Sequence, residues 1–303
     1  MKRVLITGKN SYIGTAVERW LLREPENYVV DTIDMKDEAW VARDFSGYDV
    51  VFHVAAIVHQ RERREAKAEY FRVNADLPVK VAAKAKADGV NQFIFMSTMG
   101  VYGENGKVGQ ACIITRQTVE QPTTYYGMSK LKAERDLAEL GDSTFKIVVL
   151  RPPLVYGRNC PGNYLQLSLF ARKAPMFPLF DNIRSMLHID NLCEFIRLMI
   201  GHETSGRFFP QDAEYVSTSQ LVKTIAKIHG RNIYMTRIFN PAIVLLRGGS
   251  LIKKVFGNMI YEKSMSDYDR ANYRVRTFSE AVWMSEMRPN ASKYICTEGS
   301  QKN

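Results

Sequence analysis

Along the first half of the chain, apolar residues come in short unbroken runs separated by longer stretches with helical spacing. Val4 to Ile6, Val29 to Ile33, Val50 to Val54, Phe93 to Met96 and Lys146 to Leu150 have the length and the β-branched or aromatic content of buried strands. Ile13 to Leu22, Val79 to Ala87 and Lys130 to Leu140 read as helices. Strands that are apolar on both faces and alternate with helices predict a parallel sheet covered on each side and joined by right-handed crossovers. The expected fold class is α/β, a doubly wound parallel sheet with a smaller C-terminal domain. Beyond Gly157 the rhythm breaks into loops rich in Pro, Phe and Met, with two helical stretches, Ser219 to His229 and Pro241 to Phe256. Residues 1–157, joined again by about 185–202, are read as the main domain, and about 158–184 and 203–303 as the smaller one. There is no internal repeat, and the polar end Glu298 to Asn303 is expected to fray.

Composition narrows the class without choosing a ligand. At 303 residues, 46% hydrophobic and 24% charged, the chain carries a full core and is neither disordered nor of low complexity. Its 42 Lys and Arg against 32 Asp and Glu leave a net charge of +10, which suits nucleic acid, a membrane surface or small anionic ligands alike. No basic patch interleaved with aromatics points to nucleic acid. The longest apolar stretch, Pro241 to Leu246, ends at Arg247 and two glycines, far short of the ~20 residues of a spanning helix. The apolar run behind Met1-Lys2-Arg3 is too short for a secretory signal core. A cytoplasmic protein with neither nucleic acid nor membrane as a partner is expected. Cys112, Cys160, Cys193 and Cys296 lie far apart, without His at ligand spacing, so neither a metal site nor a disulfide framework is expected. The run Gln60 to Glu65 mixes signs at helical spacing and reads as a solvated face.

The first loop brings in chemistry. Thr7-Gly8-Lys9-Asn10-Ser11-Tyr12-Ile13-Gly14 follows the first strand and opens the first helix, the context a dinucleotide-binding loop requires. Gly8 permits the tight turn and Gly14 lets helix and strand approach closely. Asn10, Ser11, Tyr12 and Ile13 bring the free N–H groups of the helix start to a pyrophosphate. Ser11 replaces the middle glycine of the pattern: its Cβ crowds the cofactor, while its hydroxyl can donate to a phosphate. Asp34, at the end of the second strand, suits the two ribose hydroxyls of an adenosine and opposes a 2′-phosphate, favouring NAD over NADP. Lys9 and Lys36 stand close enough in sequence to leave NADP open. Asp44-Phe45 is placed to contact the adenine edge, a reading that competes with a turn aspartate.

A second constellation lies at Tyr126-Gly127-Met128-Ser129-Lys130. Four residues separate the phenol from the ammonium, so both lie on one helix face. A tyrosine of ordinary pKa, ~10, is a poor base at neutral pH, and a fixed cation nearby favours its phenolate. Lys130 can supply that charge and hold a nicotinamide ribose, and Tyr126 can take or return a hydroxyl proton as hydride moves. The strand Phe93 to Met96 runs into Ser97-Thr98 at a carboxyl end of the sheet, where open α/β sheets bind ligands. Thr98 is the better candidate to share the substrate's hydroxyl proton with Tyr126, and Ser97 the second.

Taken with Phe52-His53-Val54-Ala55-Ala56, Asn74, Ser97 to Gly103, Arg151-Pro152-Pro153-Leu154-Val155-Tyr156-Gly157 and His188-Ile189-Asp190-Asn191-Leu192, these motifs resemble the extended short-chain dehydrogenase/reductase family over nearly the whole chain. The resemblance implies a Rossmann-like domain binding NAD, a C-terminal nucleotide-sugar domain, and a catalytic triad of Thr98, Tyr126 and Lys130. It implies cofactor contacts at Ala55, Ala56 and Asn74, and substrate diphosphate contacts at Arg184 and Asn163. His188 reads as a structural histidine. Met99-Gly100 stand where the family's dehydratases carry Asp-Glu, and Leu154 where typical UDP-galactose epimerases carry a substrate-binding Asn. The pattern is similar to the branch of epimerases and 4-keto reductases of UDP-acetamido sugars. The expected activity is hydride transfer at C4 of a UDP-sugar, with a one-way 4-keto reductase and a non-catalytic dinucleotide sensor as alternatives. Resemblance also implies a homodimer, formed through a helix pair that includes Lys130 to Leu140.

Overall fold

The computed structural model describes residues 1–58, 64–103 and 106–287. Gln60 to Arg63 of the mixed-sign run, Cys296 and the polar end therefore lie outside the described residues. In chain order the principal elements begin with β1 (Lys2–Thr7), α1 (Tyr12–Leu21), β2 (Tyr28–Ile33), β3 (Val50–His53), α2 (Leu77–Ala87), β4 (Gln92–Met96), α3 (Tyr125–Ala138) and β5 (Lys146–Leu150). They continue with β6 (Leu154–Tyr156), α4 (Asn163–Ala171), β7 (Met176–Pro178), β8 (Met186–His188), α5 (Ile189–Gly201), β9 (Gly206–Phe208) and α6 (Thr218–Ile228). The last are β10 (Tyr234–Thr236), α7 (Asn240–Leu245), α8 (Ser250–Phe256) and α9 (Phe278–Glu286).

The central sheet has six strands in the order β9-β5-β4-β3-β1-β2, all parallel. Strand residues alternate between two cores, as the pleat requires. Val4, Ile6, Val50, Phe52, Ile94, Met96, Val148 and Leu150 pack with α1 and α5 on one face. Leu5, Val51, Phe93, Phe95, Ile147 and Val149 pack with α2 and α3 on the other. The chain leaves β1 for β2 on one side and returns to β3 on the other. Strand order therefore reverses between β1 and β3, opening a crevice at their carboxyl ends.

A further core, built around Tyr156, Tyr164, Phe177, Phe180, Leu221, Phe256 and Val282, lies among α4, α6, α8 and α9. Three boundaries differ from the sequence reading. Helix α3 starts at Tyr125, ahead of Lys130, because Thr124 caps it through its side chain. Pro241 to Phe256 is two helices, interrupted around Gly248-Gly249. Gly206–Phe208, expected in the smaller domain, is the edge strand of the central sheet. It is too short for a period to be visible. Among the described residues no helix is long and apolar enough to cross a membrane.

Candidate active site

The loops after β1 and β3 meet at the crevice. Gly8 has φ +91°, and a Cβ there would lie 3.0 Å from the Ala55 nitrogen, so only glycine lets the two loops touch. Asn74 is buried in the turn Arg72–Asp76; it accepts from the Ile57 N–H at 2.8 Å and donates to the Ile57 carbonyl at 2.9 Å. It thus holds the segment carrying Ala55 and Ala56 rather than facing the crevice with its amide. Ser11 adopts an extended backbone, which needs no glycine, and its Oγ caps α1 by accepting from Gly14 N–H at 3.1 Å. A Cβ on Gly14 would sit 2.5 Å from that oxygen. The N–H groups of Asn10, Tyr12 and Ile13 have no protein acceptor among the described residues. They are donors at a helix start of the kind that binds a pyrophosphate. The Tyr12 phenol itself is buried, and burial pushes its pKa up.

Asp34 follows β2 with its carboxylate half exposed, accepting from Lys36 N–H at 3.1 Å and standing 3.9 Å from the Lys36 ammonium. The adenine assignment is corrected for Phe45, while the Asp44 carboxylate stays exposed. Phe45 is fully buried in the core under α2, and its N–H donates to Asp88 at 3.0 Å. Asp44 holds Ser46 by its N–H at 2.8 Å and its hydroxyl at 2.9 Å, and these bonds keep its carboxyl below the usual range. The pair forms a turn and a core anchor, the competing reading of that dipeptide.

Thr98 and Tyr126 come together at the end of β4. The Thr98 side chain caps the short helix Met99–Tyr102, accepting from Gly100 N–H at 3.0 Å, and shares a hydrogen bond with the Tyr126 phenol. Burial pushes that phenol up to about 12; the Thr98 bond works against the rise, and buried Tyr70 adds to it. Tyr126 stands in the first turn of α3, where the helix dipole favours a phenolate. Lys130 is almost completely buried, donates to the Met96 carbonyl at 2.7 Å and lies over the Phe95 ring at 4.5 Å. Burial brings its pKa down to about 7, with Glu134 opposing the fall. Its charge is felt at His53, a neutral buried histidine bound to the Thr7 hydroxyl at 2.9 Å.

Beneath this pair lies a network that sequence reasoning missed. Fully buried Arg151, just after β5, donates from Nε to both Glu134 oxygens at 3.0 Å. It also donates to Tyr102 at 2.6 Å and to Glu120 at 2.8 Å. Ser97 donates its hydroxyl to Glu134. This corrects the substrate assignment of Ser97, which is buried with its side chain turned into the network. A signal was available: Glu134 continues the spacing of Tyr126 and Lys130 by another four residues.

On the far side, Arg184 is largely buried and donates to the carbonyls of Gly257 at 2.9 Å and Lys253 at 2.6 Å. Burial lowers its pKa to about 10. No carboxylate among the described residues pairs with it, so its charge remains available to an anion. Asn163 is exposed at the first residue of α4. His188 caps α5 by accepting from Asp190 N–H at 3.2 Å, and burial holds it neutral, near 4.

Two outcomes follow from these environments. Glu134→Gln leaves Arg151 facing a weakened partner in the core and is expected to cost about 3–5 kcal/mol in urea unfolding, whereas Glu134→Leu with Arg151→Met recovers much of that loss. Unfolded Lys130 keeps its proton to pH ~10, while the folded residue releases it near 7. Wild-type unfolding free energy should therefore rise from about pH 7 to pH 10 relative to Lys130→Met; denaturation across that range checks the sign.

Comparison with known proteins agrees with this geometry. A model of the NAD dependent epimerase/dehydratase family matches residues 4–209. The UDP-glucose 4-epimerase of Vibrio cholerae is 30% identical over 248 residues, 74% of this chain and 75% of that protein. The N-acetyl-alpha-D-glucosaminyl-diphospho-ditrans,octacis-undecaprenol 4-epimerase of Escherichia coli O157:H7 is 24% identical, covering 96% of this chain and 90% of that one. The fold is shared with the UDP-glucuronic acid 4-epimerase from Bacillus cereus in complex with NAD, with a TM-score of 0.71 at 17% identity over 94% of this chain and 95% of that one. A dTDP-4-dehydrorhamnose reductase from Clostridium acetobutylicum gives 0.70 at 18% identity over 93% and 98%. The chain belongs to the NAD-dependent epimerase/dehydratase family of enzymes.

Proposed function

We propose that the protein transfers hydride at C4 of a UDP-sugar, in the manner of a 4-epimerase. The observation that carries the reading is the Thr98–Tyr126 hydrogen bond at the carboxyl end of β4, with Lys130 on the same helix face. The crevice residues fit a dinucleotide. Asn10, Tyr12 and Ile13 offer N–H groups, the loops at Gly8 and Ala55 approach too closely for a side chain to intervene, and Asp34 offers a carboxylate for ribose hydroxyls. When bound there, the nicotinamide supplies the hydride acceptor and donor.

The protein's own part is to position the sugar and move a proton. Tyr126 takes the C4 hydroxyl proton as the carbon is oxidised and returns it to the oxygen on reduction, and Thr98 supports the same oxygen by hydrogen bonding. Lys130 holds the ribose and supplies positive charge. Arg184, largely buried without a carboxylate, receives the substrate diphosphate as a planar fork of donors. Asn163, at the exposed start of α4, is a second diphosphate contact. Ser11 serves as a helix cap, which gives its side chain a structural role in the glycine-rich loop.

A likeness keeps the one-way reductase as a second reading: the fold is shared with a dTDP-4-dehydrorhamnose reductase, and the same Tyr126 phenol would protonate a 4-keto oxygen as hydride arrives. Incubation with UDP-sugars and no added cofactor separates the two. A 4-epimer formed under those conditions supports the epimerase, while stoichiometric NAD(P)H consumption with a 4-keto sugar supports the reductase. In either case Tyr126→Phe should lower kcat by about 10²–10⁴ and leave NAD affinity, measured by calorimetry, nearly unchanged. An unimpaired kcat removes Tyr126 from the mechanism.

A further inference from the structure

Between Glu214 and Glu262 the sequence holds seven Lys and Arg and no Asp or Glu. The C-terminal part of this interval folds into β10, α7 and α8. Helix α7 buries Ile243 in the further core and leaves the adjoining Val244, Leu245 and Leu246 outside. Leu245 is 83% exposed, Ile238 76% and Leu251 72%. Phe239 extends the apolar surface into a groove lined by Leu169, Phe170 and Met176 from α4 and β7. Scattered apolar side chains are ordinary on a soluble surface; a continuous patch of this kind marks a contact.

The charges around it identify the partner. Lys173 borders the groove, and Arg237, Arg247, Lys253 and Lys254 accompany α7 and α8. Among the described residues only Arg237 of these five meets a carboxylate, exposed Asp181 at 3.4 Å. A second copy docking by two-fold symmetry would set this face, on which Asp181 is the one acid named against five Lys and Arg, against itself and bring like charges together. Apolar side chains framed by Lys and Arg instead match the head-group boundary of an anionic bilayer.

We infer that this face docks on the surface of a membrane containing anionic phospholipid. The inference departs from the expectation of no membrane partner, which rested on the lack of a spanning stretch; lying on a bilayer needs only a face. Arg184 is hydrogen-bonded to the carbonyls of Lys253 and Gly257 at α8, so docking would bring the candidate diphosphate site toward the head-group layer. Docking does not depend on which sugar is turned over.

Flotation of the full chain with phosphatidylcholine vesicles, with and without phosphatidylglycerol, tests it. Anionic vesicles should carry at least about tenfold more protein than neutral ones at low salt, with the difference shrinking as salt rises. Leu245→Glu with Leu251→Glu should reduce that binding at least about tenfold while the thermal unfolding midpoint stays put, since both side chains are exposed. Arg247→Gln with Lys254→Gln, a second exposed pair, should weaken binding in the same direction. Failure to float with anionic vesicles overturns the proposal, as does equal flotation with neutral ones. Self-association that the leucine substitutions abolish, seen by sedimentation without any flotation, assigns the face to a second copy and also overturns it.

Discussion

The buried pair of Arg151 and Glu134 is the interaction on which the arrangement of the site rests. A guanidinium and a carboxylate without access to water are tolerable only when their donors and acceptors are matched, and here Arg151 reaches both oxygens of Glu134 as well as Tyr102 and Glu120. The pair joins α3 to the end of β5, and Ser97 adds the end of β4 to the same carboxylate. Because Tyr126, Lys130 and Glu134 fall at intervals of four, anchoring Glu134 fixes the rotation of α3. The phenol is thereby set beside Thr98 and the ammonium beside the Met96 carbonyl. The Tyr261 hydroxyl donates to the Arg151 carbonyl at 2.9 Å, extending the anchorage to the C-terminal segment.

Within that frame, burial acts in opposite directions on the two groups of the site. It raises the Tyr126 phenol to about 12 and lowers the Lys130 ammonium to about 7, so in both cases the uncharged form gains. In so dry a place each remaining dipole counts for more, and the Thr98 hydroxyl and the start of α3 are the dipoles that favour charge on the phenol. Sharing a helix face does not decide where a long side chain sends its ammonium, and this one meets the Met96 carbonyl.

The fold was readable because buried parallel strands leave long apolar runs, and the loop at Gly8 because it joins such a strand to a helix. What remained hidden were features without local period. Phe45 follows a turn aspartate, and nothing nearby in sequence distinguishes an adenine platform from a core aromatic. Ser97 and Thr98 are adjacent hydroxyls at a strand end, and only the pleat sends one to Glu134 and the other to Tyr126. Gly206–Phe208 belongs to the sheet through pairing with β5 across a long sequence separation. The +10 surplus likewise has no place in the sequence count; the fold sets Lys173 at the rim of the apolar groove.

The central claim is that one sugar carbon gives up its hydride and receives it back within this crevice. The most direct measurement follows isotope at that carbon. UDP-sugars carrying deuterium at C4 are incubated with the protein in ordinary water, and the products are read by mass spectrometry and NMR. Transfer through a bound nicotinamide predicts the 4-epimer with its deuterium retained at C4. Epimer whose deuterium has been replaced by solvent hydrogen would contradict it.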